Sequence, residues 1–172
     1  MAVNRSLDQS ARELVTELRS RKFKIVFAES CTGGLVSATL TKIPAVSDCL
    51  CGSAVTYLDT MKIDWLGVRE DSIRTATAVS ELVAREMVEG VLGITKAADF
   101  AAAITGHLGP HAPPDMDGVI CMAIASRGAR VSEMNVCRIQ LESTVRRSRQ
   151  KEAAKCLIDF ARRHITPNKE WD

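Results

Sequence analysis

The sequence predicts an α/β fold, a three-layer α/β/α sandwich around a mixed central sheet, on three observations. Stretches with helical spacing of apolar residues interleave with short apolar runs. Two of those runs, residues 99–106 (DFAAAITG) and 118–126 (GVICMAIAS), are almost continuously apolar, as strands covered on both faces are. The second is followed by ARVSEMNVCRIQL, whose alternation suits an antiparallel partner for the strand before it, with Arg127 and Gly128 in the turn.

In chain order, Leu7, Leu14, Val15 and Leu18 recur at helical intervals after Ser6, a cap residue type, so residues 7–20 read as an amphipathic helix. Arg19, Arg21 and Lys22 suit the negative end of its dipole. Residues 23–29 (FKIVFAE) are rich in aromatic and β-branched types and read as a strand, which breaks at Ser30-Cys31-Thr32-Gly33-Gly34 before another periodic stretch. Pro44 closes that helix, and residues 51–58 (CGSAVTYL) read as a second strand. Ser80 caps a helix that carries Leu82, Val83, Met87 and Val91 on one face. The alanines of residues 99–106 suit a helix as well as a strand. Residues 144–165 close the chain as a helix.

A chain of 172 residues is the size of one well-buried domain, expected here over residues 1–172. Its 23 Lys and Arg against 21 Asp and Glu give no basic face for a polyanion, so nucleic acid is not the expected partner. The run RRSRQK at residues 146–151 reads as the solvated start of the last helix. No stretch reaches the roughly 18 apolar residues of a membrane span, and the first residues lack the apolar core of a signal peptide. A soluble, cytoplasmic protein without membrane contact is expected. Its six cysteines (Cys31, Cys49, Cys51, Cys121, Cys137, Cys156) lack the spacing of a disulfide scaffold, so they read as reduced thiols.

Three segments carry candidate chemistry. In AESCTGG, residues 28–34, a strand ends in a serine and turns through paired glycines into a helix, which sets a hydroxyl beside unsatisfied backbone N–H groups. Those groups could receive an oxyanion or a phosphate; equally, Ser30 or Thr32 could simply cap the helix. In YLDTMK, residues 57–62, a tyrosine and a lysine leave a strand end. A serine is a weak nucleophile until a neutral lysine takes its proton, and a tyrosine hydroxyl can fix or relay that proton. In ITGHLGP, residues 104–110, an apolar run empties into a long loop continuing through HAPPDMDG. There Thr105 could donate to a reacting carbonyl or a neighbouring group, or the loop is a turn that needs its Gly and Pro. His107 and His111 are four apart, but Gly109 and Pro110 between them rule out the regular helix that would align them on a metal. Cys31 stands beside a helix start, a position that could lower its thiol pKa, and the sequence leaves its reactivity open.

These three motifs, in order and spacing, resemble the CinA C-terminal family of nicotinamide-nucleotide amidohydrolases. Leu66-Gly67-Val68 and the helix start at Val79-Ser80 extend the resemblance, which covers roughly residues 7–165. It implies hydrolysis of the carboxamide of nicotinamide mononucleotide to nicotinate mononucleotide and ammonia, with no metal or organic cofactor. It casts Ser30 as nucleophile, Lys62 as general base, Tyr57 as an aid to proton transfer and Thr105 as a polar member of the site. It puts Cys31, Thr32, Gly33, Gly34, Gly106 and Arg149 on the substrate. The expected partner is a small pyridine nucleotide, in a homo-oligomer. Larger family members carry a further amino-terminal domain, so a chain of this length resembles a stand-alone form. The chain departs from the family at His107-Leu108, in the loop after Gly109-Pro110, and at Ser143-Thr144-Val145, where the family tends to show Gly-Asp-Arg. With no arginine at Val145, Arg146, Arg147 or Arg149 is left to meet the phosphate. The competing expectations are a non-catalytic relative that binds a nucleotide or a partner, and an amidohydrolase acting on a different small amide.

Overall fold

The computed structural model describes residues 5–113 and 115–165. Five strands form one open sheet in the order β2-β1-β3-β4-β5. They are β1 (Ile25–Glu29), β2 (Leu50–Val55), β3 (Phe100–Gly106), β4 (Val119–Ser126) and β5 (Asn135–Gln140). β1 pairs parallel to both β2 and β3, whereas β4 pairs antiparallel to β3 and to β5, so the sheet is mixed as expected. Six helices cover it: α1 (Leu7–Arg21), α2 (Leu35–Leu40), α3 (Asp59–Leu66), α4 (Glu70–Ala76), α5 (Glu81–Ile94) and α6 (Arg146–Ile165). None of the helices in the described residues is long and apolar enough to cross a membrane.

Apart from a bulge at Cys51 in β2, the strands alternate between two cores. Ile25, Phe27, Ile104, Ile120, Met122 and Ile124 face one side, where α1, α2 and α6 bring Leu14, Leu18, Leu40, Leu157 and Ile158. Ala28, Ala101, Ala103, Ala123 and Ala125 face the other, against Val83, Met87 and Val91 of α5. Large side chains on one face and alanines on the other let α5 lie close to the sheet, so alanine-rich residues 100–106 form a central strand here. Close packing continues at Gly90, where a Cβ would stand 1.9 Å from the Leu66 carbonyl oxygen of α3.

Local signals set several boundaries. The hydroxyls of Ser6 and Ser80 accept from the backbone N–H of Gln9 and Val83, each at 3.2 Å, and so begin α1 and α5. Three expectations need correction. β2 ends at Val55, not Leu58, because the chain turns into α3 two residues after Tyr57. α3 and α4 form where no helix was expected. β5 begins only at Asn135, after a single helical turn at Val131–Glu133, so the hairpin loop is longer than the Arg127-Gly128 turn.

Candidate active site

The parallel strands β1, β2 and β3 end at one edge of the sheet, where open α/β sheets place their ligands. Beyond that edge lies a cavity of about 260 Å³, near the lower end of small-molecule sites. Ser30, Cys31, Tyr57, Lys62, Thr105 and Gly106 line it. Three motifs far apart in the chain thus meet, each carried by the end of a different parallel strand.

Ser30 follows β1 directly and is held by its own N–H, which donates to the Ile104 carbonyl at 3.1 Å. Gly33 and Gly34 then take φ of +61° and +92°, a left-handed region where glycine is the least strained residue. They bend the chain into α2 and do not line the cavity; neither does Thr32. These three, expected on the substrate, instead shape the loop. The Thr32 hydroxyl donates to Glu29 Oε2 at 2.8 Å, and its carbonyl accepts from Gln150 at 2.9 Å.

Glu29 organises this turn from inside. Fully buried, its carboxylate accepts from Val36 and Ser37 N–H, both at 3.0 Å, and from the Thr32 and Ser53 hydroxyls at 2.8 and 2.9 Å. A buried carboxylate without such donors would be prohibitively costly; four donors and the N-terminus of α2 offset its desolvation. The α2 N–H groups read as oxyanion or phosphate donors are therefore already occupied. The structure decides the question left open at Cys31: burial pushes its thiol pKa up to about 12, so it is a packed, protonated thiol.

Lys62 points inward from α3 and is only 2% exposed. Its Nζ donates to Asp59 Oδ1 at 3.0 Å and reaches the Tyr57 carbonyl at 3.5 Å. Among the described residues no direct hydrogen bond joins Lys62 to Ser30. Asp59 was missed in the sequence, although Asp-x-x-Lys is the spacing that pairs two side chains on one helix face. Tyr57 presents its ring to the cavity, with its hydroxyl accepting from Arg146 Nη2 at 2.8 Å, not from Lys62. The Thr105 hydroxyl donates to the Ala78 carbonyl at 2.8 Å and ties β3 to the start of α5. At Gly106 a Cβ would meet Ile120 Cγ2 at 2.6 Å and Cys31 Sγ at 3.1 Å, so only glycine fits.

The far wall is the loop after β3, which brings His107, Leu108, Gly109, Pro110 and His111 to the cavity. Arg149, expected on the substrate, lies behind that wall. Its guanidinium makes two parallel 2.8 Å hydrogen bonds to Asp117 and donates through Nε to the Ser143 carbonyl at 2.7 Å. Hydrogen bonding from Arg149 holds the Asp117 carboxyl below the usual range. Arg146, one turn earlier, is the α6 arginine that lines the cavity, donating to the Gly109 carbonyl and to Tyr57. Asp117, hidden in HAPPDMDG, had no sequence signal beyond its place before Gly118.

The family model for the CinA C-terminal domain matches residues 7–164. A CinA-like protein of Thermotoga neapolitana is 40% identical over 104 residues, 60% of this chain and 25% of that protein. One from Chlorobaculum tepidum is 40% identical over 116 residues, 66% of this chain and 27% of that protein. The chain therefore spans about a quarter of the length of these relatives. Among solved structures, the competence/damage inducible protein CihA of Agrobacterium tumefaciens superposes with a TM-score of 0.84 at 27% identity, covering 93% of this chain and 96% of that one. The competence damage-inducible protein A of Klebsiella pneumoniae shares the fold, with a TM-score of 0.87 at 24% identity over 96% of this chain and all of that one. The match across nearly the whole length shows that the chain belongs to the CinA C-terminal domain family.

Proposed function

We propose that this protein is an amidohydrolase that deamidates nicotinamide mononucleotide to nicotinate mononucleotide and ammonia through Ser30 and Lys62. The observation that carries the reading is the meeting of Ser30, Lys62, Tyr57 and Thr105 on one small cavity.

In this mechanism the Lys62 amine takes the Ser30 proton as Oγ adds to the carboxamide carbon. Asp59 orients Lys62 and offsets the ammonium charge that forms. The Cys31 N–H, directly after the nucleophile, is assigned to the developing oxyanion; those of Val36 and Ser37 already bond Glu29. Lys62 then returns the proton to the amide nitrogen, the C–N bond breaks and ammonia leaves. A water, deprotonated by Lys62, adds to the resulting ester; Ser30 recovers a proton as the carboxylate departs. Arg146 at the mouth suits the substrate phosphate, and Tyr57 holds that guanidinium in place.

Product analysis tests the reading. Purified protein incubated with nicotinamide mononucleotide is expected to release ammonia and nicotinate mononucleotide in equal amounts. A folded protein that takes up a serine-directed phosphonate on Ser30 yet leaves this substrate intact acts on a different amide. One that gives no product and no adduct, but melts higher with nucleotide, is a binding protein.

A further inference from the structure

The geometry points to Thr56 as a positioning residue for the Ser30 hydroxyl. This rests on the reading of Ser30 as a nucleophile, and not on the identity of the amide. Thr56 lies between β2 and Tyr57 and is completely buried. Its N–H donates to the Glu29 carbonyl at 2.9 Å, which extends the β1–β2 pairing one step past Glu29 and Val55. Ser30 and Thr56 are therefore register neighbours, on strands about 4.8 Å apart. Ala28 and Ala54, two residues earlier on each strand, both face the α5 side of the sheet. By the alternation of strand side chains, Ser30 and Thr56 return to that side, where α3 delivers Lys62.

The Thr56 hydroxyl has no hydrogen-bond partner. Among the described residues, the other buried hydroxyl without a partner is on Ser10, in α1 across the sheet from the cavity. A buried hydroxyl left unpaired costs about 1–3 kcal/mol, and valine would fill the same volume without that cost. The neighbouring Ser30 hydroxyl has no side-chain partner among the described residues either, and must aim its proton at Lys62 to react. The two hydroxyls are not hydrogen-bonded in the structure; when substrate fills the cavity, rotation about the Thr56 Cα–Cβ bond brings its O–H to donate to Ser30 Oγ, so that the proton on Oγ is turned toward Lys62 Nζ. Thr56 transfers no proton; the proton moves from Ser30 to Lys62. When Ser30 is the leaving group in the second half of the reaction, the same hydroxyl steadies the charge returning to Oγ.

Phosphonylation of Ser30 tests this without knowledge of the substrate. A fluorophosphonate forms an Oγ–P bond as fluoride leaves and the serine proton passes to Lys62, and intact mass reads the rate. Thr56→Val is expected to slow labelling about tenfold, the loss of one hydrogen bond in the transition state, while melting stays level or rises. Thr56→Ser, which keeps the hydroxyl, is expected to label within about threefold of wild type. Where the mononucleotide is turned over, Thr56→Val is expected to lower kcat and leave KM unchanged. Equal labelling by wild type and Thr56→Val overturns the proposal, and so does a Thr56→Ser variant as slow as Thr56→Val. Wild type that labels at Ser30 but releases no ammonia overturns the substrate reading and leaves Thr56 to be judged on labelling rates. Wild type that never labels overturns both.

Discussion

The two loops that wall the cavity are braced by opposite means. The loop after β1 is held from within by Glu29, whose fully buried carboxylate gathers two backbone N–H groups and two hydroxyls. The loop after β3 is held from behind by Arg149, whose partner Asp117 is 43% exposed. A fully buried anion with four donors cannot be removed without orphaning all of them, whereas an ion pair with one face in water loses less. Ser30 thus rests on the stiffer wall. The wall formed by His107-Leu108 and the segment after Gly109-Pro110 is the more yielding one.

Substitutions measure this difference. Glu29→Ala is expected to have the largest effect, a loss of about 3 kcal/mol or more in a denaturant melt, or failure to fold. Gly106→Ala follows, at about 1–3 kcal/mol, because its new methyl meets Ile120 and Cys31. Arg149→Ala is expected to cost about 2 kcal/mol and to raise KM through a loosened far wall. Were Arg149→Ala to cost as much as Glu29→Ala, the contrast between the walls would be gone.

A pH series sharpens the comparison. Arg149 depresses the Asp117 carboxyl in the folded state, so its stabilisation is fully present above the ordinary carboxylate pKa of about 4 and is lost as pH falls through the folded value. The melting temperatures of wild type and Asp117→Asn should therefore differ at neutral pH and converge in acid. A gap that persists unchanged below about pH 3 would place the effect elsewhere. The smallest effect on stability is expected at Arg146→Ala, on an exposed side chain at the cavity mouth. Melting should hardly move, while KM for a phosphate-bearing substrate rises about tenfold.

Much of the fold was legible because its helices and strands obey simple periodicities. α1 and α5 carry both a serine cap and an apolar face, and the strands β1, β3 and β4 alternate between the sheet's two faces. α3 was illegible because its inward residues are Lys62 and Leu66 while Trp65 faces out, which reverses the usual pattern. α4 buries Ser72, which donates to Glu86 at 2.7 Å. Burial alone would raise the Glu86 carboxyl; hydrogen bonds from Ser72 and Arg69 hold it below the usual range. Polar contacts of this kind leave no trace in an apolar pattern. At the site, motif order singled out three segments, and the fold gathers them at one cavity. It did not reveal which residues face that cavity and which brace it, since Arg146 and Arg149 differ only by their place on one helical turn. Cys31 was undecided for a related reason: a helix start can activate a thiol, and only the fold shows that the close approach of Gly106 buries it.

The most direct test of the account compares wild type with Ser30→Ala on nicotinamide mononucleotide, following ammonia and the carboxylate product together. Wild type is expected to form both in equal amounts. Ser30→Ala, with an unchanged melting curve, should be slower by about a thousandfold or more. Equal ammonia release by the two proteins would contradict the assignment of Ser30 as nucleophile, and with it the mechanism built on Lys62.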